Sequence, residues 1–166
     1  MEKVIQVIND LVRNGIIDKY AIGGATGVIF YTETLNTKDI DVFINPKFTT
    51  SGIVHLGSIY EYLQKAGYKM EGQYFIIDGI PIDLIPVYND LTLEALNNSA
   101  ENTFNNNKVK VFRPEYLLAI ALQTGRTQDL IKVELLMKEA ELDKLLLEDI
   151  LRRHGLYERW EKYGRG

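Results

Sequence analysis

Thr37-Lys38-Asp39-Ile40-Asp41-Val42-Phe43-Ile44 decides how this chain is to be read. Its period-2 alternation predicts a strand over 38–44, with Asp39, Asp41 and Phe43 on one face and Ile40, Val42 and Ile44 on the other. The two carboxylates then stand about 7 Å apart along the strand. Side by side they repel, and a divalent cation bound by both relieves the repulsion. A charged edge that discourages aggregation is the plainer explanation. The apolar residues around the pair favour an interior strand and weigh towards the cation.

Upstream, Ile22-Gly23-Gly24-Ala25-Thr26-Gly27 follows the short strand candidate Tyr20–Ile22 and opens a helix expected over 25–34. Glycines at such a junction let the backbone approach an anion held by free helix amides. Taken alone, the pair is better explained as a tight turn. Ahead of it, apolar residues at helical spacing predict a helix over 3–13, ended by Asn14-Gly15.

Downstream, Pro46 closes the strand and a third helix is expected over 53–66. Residues 73–77 and 80–87 are two apolar runs joined by Asp78-Gly79, a strong hairpin signal. Asp83 lies among Ile82, Leu84 and Ile85, where an unpaired carboxylate is costly. By itself it could equally be a surface position on an amphipathic strand. The asparagine-rich segment 97–107 predicts turns rather than a packed element. A short strand follows over 108–112, then helices over 115–123, 129–139 and 143–154, the first opened by Pro114 and ended by Gly125. The expected class is α/β (α+β): a small mixed sheet flanked by helices, with a core over residues 1–112 and a helical part over 113–166 packed on it.

Composition mostly excludes. Of 166 residues, 46% are hydrophobic and 25% charged, with no cysteine and a net charge of -4. Disulfides and cysteine-based zinc sites are ruled out. Residues 1–100 carry twelve acidic and seven basic side chains, unlike a dedicated nucleic-acid binder. No apolar run approaches a membrane span, and the N-terminus lacks the pattern of a signal peptide, so a cytoplasmic protein with no membrane partner is expected. His55 and His154 read as a structural residue and a helix-end residue. Arg152, Arg153, Arg159, Lys162 and Arg165, interleaved with Tyr157, Trp160 and Tyr163, could stack on single-stranded RNA. Packing of those aromatics on the core is the commoner outcome.

In combination, Ile22-Gly23-Gly24, then Asp39 and Asp41, then Asp83 resemble the nucleotidyltransferase superfamily, the polymerase-beta-like minimal domain. The two glycines and the DIDVFI strand resemble its AbiEii-type branch, whose members include toxins of toxin–antitoxin pairs. The resemblance implies Mg²⁺, with Mn²⁺ as a substitute, bound by Asp39, Asp41 and Asp83. Asp83 would serve as a further ligand or as general base. It implies that Gly23, Gly24, Ala25 and the Thr26 hydroxyl cradle the phosphates of an NTP such as ATP, with Arg126 nearby. The acceptor hydroxyl would belong to RNA, a protein or a small molecule, and a cognate antitoxin is an expected partner. Two departures stand out. Fourteen residues separate Gly24 from Asp39, slightly more than usual. In Arg126-Thr127-Gln128-Asp129, Gln128 replaces the family's lysine, with Lys132 one turn beyond. The alternative reading is therefore a catalytically degraded member acting as a binding or regulatory protein.

Overall fold

The computed structural model describes residues 1–33, 35–45 and 56–164. In chain order the elements are α1 (Glu2–Arg13), β1 (Lys19–Ile22), α2 (Gly24–Ile29), β2 (Ile40–Asn45), α3 (Gly57–Lys65), β3 (Lys69–Glu71), β4 (Tyr74–Ile77), β5 (Ile80–Pro86), α4 (Asp90–Asn97), β6 (Ala100–Phe104), β7 (Asn107–Val111), α5 (Pro114–Thr124), α6 (Thr127–Glu139), α7 (Lys144–Arg153) and α8 (Tyr157–Gly164). The strands form one mixed sheet, ordered β3-β4-β5-β2-β1-β7-β6. Only the β2–β5 and β1–β7 pairs are parallel.

Alternation along the central strands supplies two apolar faces, and each is covered. On one side Ile22, Ile40, Val42, Ile44 and Ile82 meet Val4, Ile5, Ile8 and Leu11 of α1 and Ile59 and Leu63 of α3. On the other, Ala21, Phe43 and Phe112 pack beneath Leu91 and Ala95 of α4 and Leu117, Leu118, Ala121 and Leu122 of α5. Val133 and Leu136 of α6 and Leu147, Ile150 and Leu151 of α7 extend this second cluster. The three-layer arrangement answers the expected class. Asp41 shares the second face with Phe43, so both point towards the helices that follow the sheet.

Several local expectations needed revision. The helix foreseen over 25–34 is only the six residues of α2. The Thr32 hydroxyl donates to the Val28 carbonyl and closes the chain just past its end. Segment 97–107 is not free of packed structure, because β6 runs through it and pairs with β7. The asparagines matter at its tip, where Asn105 and Asn106 take φ of 45° and 64°. These left-handed values are ones asparagine tolerates well. Asp78-Gly79 does turn the β4–β5 hairpin, both residues having positive φ. Neither β3 nor α4 was foreseen. The first is three exposed edge residues. The second starts at a capping box, in which the Asn89 side chain accepts from the Thr92 N–H and the Thr92 side chain accepts from the Asn89 N–H. Pro46, His55 and the first residues of the helix expected over 53–66 lie outside the described residues.

Candidate active site

The site grows from three strand ends. The Gly23 N–H donates to the Asp41 carbonyl at 3.0 Å, and the Phe112 N–H to the Ile22 carbonyl at 2.9 Å. These bonds draw β1, β2 and β7 together where α2 begins. Gly24 has φ of +52°, and a side chain there would fall on the Asp41 carboxylate. A Cβ on Gly23 would meet the Phe43 ring at 2.6 Å. Close approach demands both glycines, and at Gly24 the positive φ demands one as well.

Register then sets the carboxylates. In the parallel β2–β5 pair, Asp41 stands directly opposite Asp83, which puts the two backbones about 4.8 Å apart. Asp39 lies two residues before Asp41, and its Oδ1 accepts from the Thr37 hydroxyl at 2.9 Å. Burial, then the Asp39 carboxylate, raise the Asp41 carboxyl above its ordinary value. Lys132 and the Ala25 N–H pull it back, and Asp83 adds to the rise. Burial also raises Asp83, opposed by the Gln73 side-chain amide and assisted by Asp39. The three carboxylates therefore feel one another. Among the described residues, however, no three His, Cys, Asp or Glu side chains converge on one cation-sized point.

A cavity of about 230 Å³ opens beside Asp41. It is lined by Gly24 and Asp41, by Phe43, Ile85, Tyr88, Phe112, Leu117 and Ile120, and by Arg126, Asp129 and Lys132. The last three share one face of α6 at i, i+3 spacing. Asp129 is 2% exposed and accepts from Arg126 Nε at 2.7 Å and Lys132 Nζ at 2.9 Å. Burial pushes its carboxyl up, but these two donors outweigh that and hold it below the ordinary range. The turn into α6 is made by Gly125, at φ +66°, with Arg159 of α8 donating to the Gln123 carbonyl behind it.

Of the residues expected here, Gly24, Asp41 and Arg126 line the cavity. Asp83 sits one strand outward from Asp41, while Asp39, expected within the strand over 38–44, falls in the bend just before β2, which begins at Ile40. Thr26, expected to cradle phosphate, is 1% exposed, and its hydroxyl donates to the Asp39 carbonyl at 2.9 Å. It ties α2 to β2 instead. The Ala25 amide faces the Asp41 carboxylate. Gln128 is exposed, whereas Lys132 turns into the cavity. Tyr88 and Asp129 were missed. Asp129 carried a legible signal, the cations at i−3 and i+3, while Tyr88 had none. Among the described residues, the arginines of the C-terminal segment are engaged, Arg152 with Glu148, Arg153 with Glu94 and Asp149, and Arg159 with Gln123, while Arg165 lies outside the described residues. Trp160, Tyr157 and Tyr163 pack against the core.

Solved structures share this architecture. A nucleotidyltransferase-like protein from Paracoccidioides brasiliensis matches with TM-score 0.57 and 16% identity, over 95% of this chain and 90% of that one. This is a nucleotidyltransferase-like fold. The ANT(2")-Ia structure in complex with adenylyl-2"-tobramycin matches at TM-score 0.53 and 14% identity, over 94% of this chain and 98% of that one. The lincosamide antibiotic adenylyltransferase LnuA, lincomycin-bound, matches at 0.51 and 19%, over 82% and 96%. At such identities the likeness is one of fold. No family model and no curated protein matches the chain. Among the described residues, no helix is long and apolar enough to cross a membrane.

Proposed function

We propose that the protein transfers a nucleotidyl group from an NTP to the hydroxyl of a small-molecule acceptor. The observation that carries this reading is the β2–β5 register, which sets Asp83 beside Asp41, with Asp39 in the bend just ahead of β2, next to the Gly24 junction. Hard oxygen donors suit Mg²⁺ or Mn²⁺, and the raised carboxyls of Asp41 and Asp83 mark a charge that a cation would relieve. Mg²⁺ keeps several waters and is commonly held by one or two carboxylates plus substrate phosphates, so a three-carboxylate cage is not required. A cation held by Asp41 with one neighbouring carboxylate, Asp39 or Asp83, and by substrate phosphates would supply Lewis-acid stabilisation of the attacking and leaving oxygens.

The chain's own residues perform the remaining tasks. Arg126 and Lys132 offer cationic donors to the triphosphate from the α6 side. Tyr88, Phe43 and Phe112 wall the cavity with rings suited to a nucleobase. Asp83, with its carboxyl raised by burial, accepts the acceptor proton. The acceptor oxygen forms a bond to the α-phosphorus, the bond from that phosphorus to its bridging oxygen breaks, and pyrophosphate leaves.

A degraded, binding-only protein was suggested by Gln128. Lys132 brings an ammonium into the same cavity, which favours activity. A small acceptor is favoured over RNA because the described C-terminal arginines, Arg152, Arg153 and Arg159, are engaged within the helical layer and do not line the cavity. The two antibiotic-modifying neighbours are matched over nearly their full length, and their acceptors are of that size. The AbiEii-like β2 sequence supports a toxin role with an antitoxin partner. Growth arrest on induction, relieved by Asp39→Ala/Asp41→Ala, tests that branch.

The decisive experiment incubates the protein with α-labelled NTPs, Mg²⁺ and three separate acceptor pools: hydroxyl-bearing small molecules including aminoglycosides and lincosamides, total RNA, and protein. Label entering the small-molecule pool and lost in Asp39→Ala/Asp41→Ala is expected. Equal labelling by both proteins would overturn the catalytic assignment, and label in RNA alone would overturn the acceptor.

A further inference from the structure

Asp129 is bonded to both cations of the cavity lining, and each of its oxygens holds one of them. Oδ2 accepts from Arg126 Nε at 2.7 Å, while Oδ1 accepts from Lys132 Nζ at 2.9 Å and from Arg126 Nη2 at 3.4 Å. Asp129 is 2% exposed, whereas the Arg126 and Lys132 side chains are 63% and 16% exposed. Its charge is therefore spent on the two cations rather than on solvent. A guanidinium has five N–H donors and an ammonium three, so both cations keep donors for an anion in the cavity. Left to themselves they would part. Like charges on one helix face repel, and the Arg126 side chain is free to extend into solvent. Lys132 is near enough to Asp41 to pull that carboxyl down, so it would be drawn that way. Asp129 opposes both movements.

We propose that Asp129 is a positioning residue: it bridges Arg126 and Lys132 into a preset two-cation fork for the triphosphate of the NTP. The inference rests on the reading above in which α6 takes the phosphates. A fork set before binding spares the entropy cost of ordering two long side chains when the anion arrives. The helix supplies the geometry, because Arg126 is the N-cap of α6 and Asp129 and Lys132 follow at three-residue intervals. Holding Lys132 back from Asp41 keeps the ammonium available to phosphate. Asp129 takes no proton, and both its oxygens are occupied by the cations. Its effect runs wholly through Arg126 and Lys132.

The test reads binding of inorganic tripolyphosphate to the full chain by isothermal titration in EDTA, so that neither metal nor turnover enters. Asp129→Asn keeps the shape and removes the charge, and far-UV circular dichroism checks that it folds. Asp129→Ser takes its place if it does not. Either variant is expected to bind tripolyphosphate about tenfold more weakly, the equivalent of one charge-assisted contact. Made on Lys132→Gln, the same substitution should cost about threefold or less, since only Arg126 remains to be held. In the transfer assay it should raise the KM for NTP with kcat nearly unchanged. Unchanged binding, an equal loss in both backgrounds, or a lowered kcat at unchanged KM overturns the proposal. Tighter binding overturns it too, showing that Asp129 only competes with phosphate for the cations. Weakened binding in the variant, with no nucleotidyl transfer by the unmodified protein, supports the fork and overturns the proposed function. Failure of the unmodified protein to bind tripolyphosphate overturns the fork whatever the transfer assay gives.

Discussion

At the scale of single residues, Asp41 joins most of the site's requirements. It is held beneath Gly24, bonded by the Ala25 N–H, pressed by Asp39 and Asp83, and approached by Lys132. Burial and like charge raise its carboxyl pKa, and the sign of that shift makes a stability statement. A carboxylate raised in the folded protein disfavours folding at pH values where it is ionised, and the cost is relieved as pH falls through the raised value. Without divalent cation, Asp41→Asn should therefore raise the melting temperature near neutral pH. It should also abolish any increase in melting temperature on adding Mg²⁺ with ATP. A thermal melt with and without Mg²⁺-ATP checks both, and a lower melting temperature in cation-free Asp41→Asn would contradict the electrostatic account.

At the scale of elements, the α5–α6 elbow explains how the cavity is furnished from the helical side. Gly125 turns the chain, Arg126 caps α6, and Asp129 and Lys132 follow at three-residue intervals on the inward face. Lys132→Gln should raise the KM for NTP about tenfold with a smaller effect on kcat, since it removes a charge-assisted contact to bound phosphate. Gln128→Lys added to that variant should restore little, because residue 128 faces solvent. Steady-state kinetics on the single and double variants distinguish the two helical positions. This face was legible in part: Arg126 and Lys132 could be read from the string, but the choice of Lys132 over Gln128 needed the helix phase. The β2 strand was the most legible element, since alternation of carboxylates and aliphatics has one physical solution in a sheet covered on both sides. Asp83 remained ambiguous until register placed it opposite Asp41, because strand pairing across more than forty residues leaves no local trace. The Thr26 hydroxyl was misjudged for a related reason. A short motif does not reveal that the Asp39 carbonyl comes to meet it. Gln73, on an exposed turn, offered no pattern at all.

At the scale of the whole molecule, the C-terminal helices are held by apolar packing and by polar ties, among them a knot around Glu94. The Glu94 carboxylate of α4 accepts from Arg153 at 2.7 and 2.8 Å and from the Tyr116 hydroxyl at 2.8 Å, with His154 Nε2 at 2.8 Å. Thus α4, α5 and the end of α7 meet at a single acidic group. Arg153 chiefly, against the cost of burial and with help from Tyr116 and His154, lowers the Glu94 carboxyl from 4.5 to about 2. A carboxylate lowered in the folded state contributes stability that is fully present above its ordinary value and lost as pH falls through the lowered one. The wild-type chain should accordingly lose stability between about pH 4.5 and pH 2. Glu94→Gln should be less stable at pH 7 by about 1–2 kcal/mol, after allowing for solvent screening of the knot. Its own acid limb should be flatter. Asp41 and Asp83 act in the opposite sense, because protonating them relieves burial and repulsion, so the two effects overlap in any single melt. Subtracting the Glu94→Gln curve from that of the wild type, by urea titration at stepped pH, isolates the knot. A difference that stays constant from pH 7 to pH 2 would show that Glu94 holds these helices by packing alone and that its ion pair with Arg153 contributes nothing.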